Sequence, residues 1–208
     1  GLDVFGSISL NKSVGGINPD AVEIATQLGA KVVWMPSTDE DKGDQIECSQ
    51  PPSSILDDSG KITKEMTEVL EIVSAKNVVL GSGHLSAVET IILFEMAKTI
   101  GVGRMIASYP HRKASVEEQK KMISLGAYLE YTFRSCMPSK SSILPKKMAE
   151  EVKTLGASHC IVTTDFGQTM NPPPAEGMRM AIAHLRVTGL GMREIETLVK
   201  TNPIQLVK

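Results

Sequence analysis

The sequence predicts a parallel α/β fold, and three observations carry that prediction. Short apolar runs alternate with amphipathic helical stretches along the 208-residue chain. Runs of this kind are the material of strands buried on both faces, and strict strand–helix alternation predicts a parallel sheet covered by helices. Glycine recurs at the junctions, where a left-handed residue closes a helix before the next strand begins. Right-handed crossovers then leave two arrangements, an open doubly wound sheet or a closed barrel.

Taken in order, residues 2–10 read as the first strand. Asn11 and Lys12 at its end are candidate substrate contacts. Gly15-Gly16 follows, but paired glycines are common in turns and do not establish a phosphate-cradling loop. Ala21, Ile24, Ala25 and Leu28 share one helical face, and Leu28-Gly29-Ala30 leads into a strand at 31–35. The segment Ser37 to Gly60 breaks the rhythm with Pro51-Pro52 and several acids. It reads as a surface loop or as a lid, because it follows a strand's C-terminal end. Ile62, Met66, Val69, Leu70 and Val73 mark the next helix, before a strand at 77–82.

Ser86 with Glu89, and Ser115 with Glu118, form capping boxes that open two helices. Strands at 104–109, 127–132 and 159–164 complete a set of six. Met178, Ala181, Ile182 and Leu185 share a face of a later helix. The last helix covers about Met192 to Lys200, and Asn202-Pro203 is expected to stop it.

Composition narrows the function. The net charge of -2 offers no basic surface for nucleic acid or an anionic membrane. Cys48, Cys136 and Cys160 are odd in number and scattered, which predicts reduced thiols and a cytoplasmic protein. No apolar run reaches the ~18 residues of a membrane span, and no signal peptide opens the chain. The expected partner is a small-molecule substrate, with self-association into a homo-oligomer as a further expectation. The whole chain reads as a single domain.

Three strands end in potential metal ligands: His84, His111 and Asp165. Parallel strands in a barrel bring their C-terminal ends to one face, where active sites are built. Imidazole and carboxylate suit Zn²⁺ and similar divalent ions. Each residue taken singly also has a plain role, His as a loop residue and Asp165 as a helix cap. The joint pattern, at equivalent points of three repeats, carries the metal reading. His159 precedes its strand and His184 lies within a helix, so both read as structural. Glu130 lies mid-strand, pointing either into the mouth of the site or outward to a helix.

The stretches Gly81-Ser82-Gly83-His84-Leu85-Ser86, Ser108-Tyr109-Pro110-His111 and Thr163-Thr164-Asp165-Phe166-Gly167-Gln168 resemble the amidohydrolase superfamily. So do Gly191-Met192-Arg193-Glu194-Ile195 and Thr201-Asn202-Pro203-Ile204-Gln205-Leu206, which are similar to its closing helix and final signature. More closely the chain resembles a subfamily of amidohydrolase-like proteins. That pattern adds Leu10-Asn11, Gly15-Gly16-Ile17-Asn18-Pro19, Val33-Trp34-Met35-Pro36 and Gly126-Ala127-Tyr128-Leu129-Glu130.

The resemblance implies a (β/α)8 TIM-type barrel. Its fifth and sixth strands each end in a metal-binding histidine, here His84 and His111. Its eighth ends in an aspartate, here Asp165, that binds metal and takes the proton of the attacking water. In this register the first two strands are missing, an N-terminal truncation relative to a barrel of ~250 residues. The superfamily's His-x-His pair belongs to the first strand, and no His-x-His occurs here.

The implied activity is metal-dependent hydrolysis of an amide, ester, lactone or phosphoester bond, with one or two divalent ions, Zn²⁺ by donor type. Glu130 and Gln168 join Asn11 and Lys12 as candidate substrate contacts. One alternative is an inactive truncated barrel that binds metal weakly or associates with another chain. Another is a metal-free phosphate-binding barrel, which needs glycine-rich loops that are scarce after the last two strands.

Overall fold

The structure, a computed structural model, describes residues 3–37, 55–139 and 142–208. Six strands form one parallel sheet in sequential order: β1 (Ser7–Ser9), β2 (Val32–Trp34), β3 (Val79–Gly81), β4 (Met105–Ser108), β5 (Ala127–Thr132) and β6 (Cys160–Thr163). Among the described residues the sheet does not close, so β1 and β6 are its edges. The helices between them are α1 (Pro19–Gln27), α2 (Lys64–Lys76), α3 (Ala87–Ile100), α4 (Pro110–Lys113), α5 (Val116–Ser124) and α6 (Pro145–Leu155). Three more follow β6: α7 (Pro174–Val187), α8 (Met192–Glu196) and α9 (Asn202–Val207). This is the sequential β/α order of a partial barrel.

Strand pleating divides the side chains into two populations, because successive residues point to opposite faces. Val33, Leu80, Met105, Ala107, Leu129, Tyr131, Cys160 and Val162 belong to the large core between sheet and helices. Val79, Ile106 and Ile161 belong to a second, smaller cluster on the inner face, with Val32, Trp34 and Tyr128 against it. Leu206 and Val207 of α9 complete that cluster. Arg104 Nη1, just before β4, donates to the Leu206 carbonyl at 3.1 Å, and the Tyr128 hydroxyl donates to Gln205 Oε1 at 3.1 Å. The C-terminal helix therefore plugs the inner face from the strands' N-terminal side. The inner positions nearer the C-terminal ends are Ser9, Trp34, Gly81, Ser108, Glu130 and Thr163, most of them polar.

Both capping boxes form. Glu89 Oε2 accepts from the Ser86 backbone at 2.9 Å, and Glu118 Oε2 from the Ser115 backbone at 2.7 Å. The expected faces of α2 and α7 are the ones turned to the core. The expected face of α1 is wrong. Val22 is its buried residue, while Ile24 and Leu28 stand 56% and 85% exposed. Among the described residues, helix α1 packs chiefly on α2 and on edge strand β1, which leaves much of this stripe exposed. Of the Ser37–Gly60 segment, residues 38–54 lie outside the described residues, and Cys48 with them. Its end is a tight turn in which Asp57 Oδ1 accepts from the Ser59 and Lys61 amides at 2.8 and 3.0 Å.

The last helix does not stop at Asn202-Pro203. It continues as α9 after a π-helical turn at Thr197–Thr201. Proline lacks the amide that would close the preceding turn, and the wider turn accommodates that loss without ending the helix. Asn202 is buried, and its Nδ2 donates to the carbonyls of Ala157 and Cys160 at 2.9 and 2.7 Å. The amide thus ties the closing helix to the start of β6.

Replacing Asn202 by Ala strands those two carbonyls. The expected loss is about 2 to 4 kcal/mol of unfolding free energy, measured by urea denaturation. A loss under about 0.5 kcal/mol, the scale of a neutral surface change, would show that the amide is not a pin.

Candidate active site

An open cavity of about 310 Å³ lies at the C-terminal ends of the strands. That is near the lower end of the ~300–1,000 Å³ typical of small-molecule sites. Ser9, Trp34, Ser37, Gly83, His84, Ser108, Tyr109, Glu130, Thr132, Thr163 and Asp165 line it with Met35. Every strand contributes directly or through its following loop, as the parallel topology requires.

The backbone is forced where the site is made. Gly83 has φ +52°, and a Cβ there would meet the Met35 carbonyl oxygen at 2.2 Å. Only glycine fits between the ends of β2 and β3, and this close approach sets His84. Tyr109 and Asp165 are non-glycine residues that both have φ 53°. A left-handed residue of this kind costs on the order of 1–3 kcal/mol and persists only where its surroundings dictate it. Here the two are partners, since the Tyr109 hydroxyl donates to Asp165 Oδ2 at 2.5 Å. Arg134, just past β5, approaches the same oxygen through Nη1 at 3.6 Å. Burial, with Asp165 beside it, raises the Tyr109 pKa and keeps the phenol a proton donor.

Glu130 points inward, which decides its two readings. Its carboxylate accepts from Ser108 Oγ at 2.9 Å and Thr163 Oγ1 at 3.1 Å. Desolvation raises its pKa, opposed by those two hydroxyls and reinforced by the charge of Asp165. His84 packs edge-on against Tyr109 with ring centroids 5.5 Å apart. Desolvation, helped by the charges of Lys113 and Arg134, lowers its pKa to about 4. Its imidazole is therefore neutral near pH 7. Lys113 Nζ donates to the Gly83 carbonyl at 3.1 Å and lies 5.7 Å from the centre of the Tyr109 ring.

The expected trio does not come together whole. His84 and Asp165 share the cavity, but His111 does not line it. His111 stacks on Tyr131 with centroids 5.6 Å apart and planes 19° apart. Tyr131 belongs to the outer population of β5, its hydroxyl donating to Gln119 Oε1 at 2.9 Å. The reason is local: at the end of β4, Tyr109 faces the cavity and Pro110 starts the short helix α4, which carries His111 to the helix side. Both His111 ring nitrogens are buried without a hydrogen-bond partner. Its pKa is lowered to about 4, by burial first and then by Arg112 and Lys147.

The remaining candidates divide similarly. Asn11 Oδ1 accepts from the Ser37 amide at 2.7 Å, joining the ends of β1 and β2 at the rim. Lys12 is exposed in a short 3-10 turn, and Gln168 Oε1 accepts from Asn171 Nδ2 at 2.6 Å; neither lines the cavity. Tyr109 and Arg134 were not among the expected site residues. Their positions at strand ends are the available signal, but nothing in spacing marks Tyr109 over His111 two residues on, or singles out Arg134. The thiols of Cys136 and Cys160 are pushed up to about 11 and about 12 by burial, so neither is a nucleophile near neutral pH.

Among the described residues no three His, Cys, Asp or Glu side chains converge to hold an ion. Asp165 Oδ2 already has a phenol and a guanidinium as partners. The described residues do not make a metal site by themselves.

The fold and its strand-end cavity define the class of partial (β/α) barrels. Within that class, the chain belongs to the family described as "Family of unknown function (DUF6282)", whose model matches residues 1–130. No curated protein sequence matches it. Similar solved structures include an amidohydrolase from Pseudomonas aeruginosa, with TM-score 0.65 and 14% identity over 91% of this chain and 67% of that one. The organophosphorus hydrolase from Deinococcus radiodurans gives TM-score 0.60 and 11% identity over 91% of this chain and 61% of that one. A phosphotriesterase homology protein from Escherichia coli, solved with phosphate in its active site, gives 0.58 and 12% over 100% of both chains. At these identities the likeness is one of fold. The chain spans 61% of the Deinococcus enzyme's length.

The two depressed histidines predict a pH dependence. The unfolded chain, with imidazoles near 6.5, binds protons before the folded protein does, with its imidazoles at about 4. Stability should therefore fall as pH drops from 6.5 to 4, measured by denaturant midpoints in chelator-treated protein. His111→Phe keeps the stack on Tyr131 and removes the unmatched nitrogens. It should hold or raise stability at pH 7 and flatten the acid slope; a steeper slope would contradict the assignment.

Proposed function

We propose that the cavity is the active site of a hydrolase that cleaves an amide, ester, lactone or phosphoester bond by attack of water. The observation behind this reading is the convergence of His84, Tyr109, Glu130 and Asp165 at strand ends in a fold shared with known hydrolases. Asp165 is the general base. The Tyr109 and Arg134 contacts both fall on Oδ2, which leaves Oδ1 to accept the proton of the attacking water. Neutral His84 hydrogen-bonds substrate or leaving group, and Glu130 with the Ser108 and Thr163 hydroxyls forms a polar floor that orients it.

A second reading retains the metal, on the observation that a neutral imidazole and a carboxylate share one cavity. A divalent ion, Zn²⁺ by donor type, would take His84 and Asp165 as two ligands and the rest from outside the described residues. It would supply a bound water of lowered pKa. His111 is not one of its ligands in this arrangement.

Asp165→Asn keeps the shape of the side chain and removes the base. In protein active on an ester, lactone or phosphoester panel, kcat should fall by roughly 10²-fold or more. Near-normal turnover would refute the base assignment. Metal analysis of the same preparations separates the two readings: a stoichiometric ion lost in His84→Ala but kept in His111→Ala favours the second.

A further inference from the structure

The cavity's charged groups are more than the hydrolytic step requires. Asp165 is the carboxylate at its mouth, and its charge is already engaged by the Tyr109 hydroxyl. Glu130 is held in the floor by two hydroxyls, in surroundings that favour its neutral form more than water does. Against these stand two cations beside lining residues. Arg134 reaches in from the end of β5 and is 27% exposed in its side chain. Its single 3.6 Å approach to Asp165 is longer than a bidentate guanidinium–carboxylate pair. Lys113 arrives from the end of α4, with its ammonium fixed at the Gly83 carbonyl beside the Tyr109 ring. Gly83 and Tyr109 both line the cavity, so this charge stands at its edge. Both cations lie close to groups that line one space, Arg134 at Asp165 and Lys113 at Gly83 and Tyr109.

We infer that Arg134 and Lys113 form an anion subsite at the cavity mouth, so that the substrate is a small molecule carrying a phosphate or carboxylate group. This rests on the hydrolase reading for the word substrate, while the anion binding itself does not. A guanidinium presents donors in a planar fork suited to either oxyanion, and an ammonium adds a compact second charge. The Ser9, Ser108, Thr132 and Thr163 hydroxyls offer further hydrogen bonds deeper in, and Trp34 with Met35 supplies an apolar wall for the rest of the molecule. An anion at the mouth also exchanges the long Arg134–Asp165 approach for a shorter charged contact, leaving Asp165 to the water.

The test is equilibrium binding of inorganic phosphate and of acetate to the full chain by calorimetry at fixed ionic strength, with thermal shift as a second readout. Saturable binding of at least one probe is expected. Phosphate above acetate identifies a phosphate-bearing substrate; the reverse order identifies a carboxylate. Arg134→Gln and Lys113→Gln should each weaken binding by roughly tenfold or more, the scale of one lost charge-assisted hydrogen bond. Arg134→Lys should recover part of the loss. If Arg134→Gln does not fold, Lys113→Gln alone decides. Absence of saturable binding, or binding unchanged in the folded variants, overturns the inference. Phosphate binding without any hydrolysis would leave the subsite standing and remove the hydrolase reading. Turnover of neutral esters without anion binding would do the opposite.

Discussion

The constraint on which the rest of the structure depends is the parallel direction of all six strands. Parallel pairing requires a crossover after each strand, and the crossovers lay helices on one face. It also sends every C-terminal end to the same side. Residues as distant in sequence as Ser9, His84 and Asp165 then line one cavity, although no local interaction connects them. Pleating adds the second half of the constraint. Alternate residues of each strand face inward, and the inner face sorts itself into two levels. Near the strands' N-terminal ends Val79, Ile106 and Ile161 are apolar and receive Leu206 from the closing helix. Nearer the C-terminal ends Ser108, Glu130 and Thr163 are polar and bond one another. Stability and chemistry are thus separated along the strand axis rather than between domains.

The cavity's electrostatics follow from how this chain handles one carboxylate. Asp165 is partly buried at the cavity mouth, and a phenol at 2.5 Å and a guanidinium at 3.6 Å both engage its Oδ2. The two left-handed residues, Tyr109 and Asp165, are hydrogen-bonded to each other through their side chains. The sequence reading places His111 at this strand end; in the structure Tyr109 lines the cavity, and the short helix begun by Pro110 turns His111 onto Tyr131 on the other face.

Buried polar groups show the same division of labour. Asn202 satisfies two carbonyls and closes the fold. His111 satisfies nothing with its ring nitrogens and contributes through its face, stacked on Tyr131. Its burial is the expensive kind, since desolvated nitrogens forfeit water without replacement. Burial first, and then the cations Arg112 and Lys147, keep the ring neutral.

By itself the sequence determined the alternating strand–helix architecture and the starts of the two helices that open on Ser–Glu boxes. Short apolar runs, junction glycines and the two Ser–Glu boxes are local signals, and local signals survive folding unchanged. It also determined that Asp165 and His84 end strands, because strand ends are written in the apolar pattern before them. Helix faces beside an edge were less legible: the α1 stripe of Ile24 and Leu28 has the right period yet stays exposed among the described residues. The continuation of the last helix through Pro203 was hidden as well, since a π turn compensates a missing amide in a way composition does not reveal. Only the tertiary structure decided which of two neighbouring residues, Tyr109 or His111, turns into the cavity. That choice depends on a left-handed backbone at residue 109 and on Asp165, which lies 56 residues further along the chain and reaches Tyr109 only through the parallel sheet.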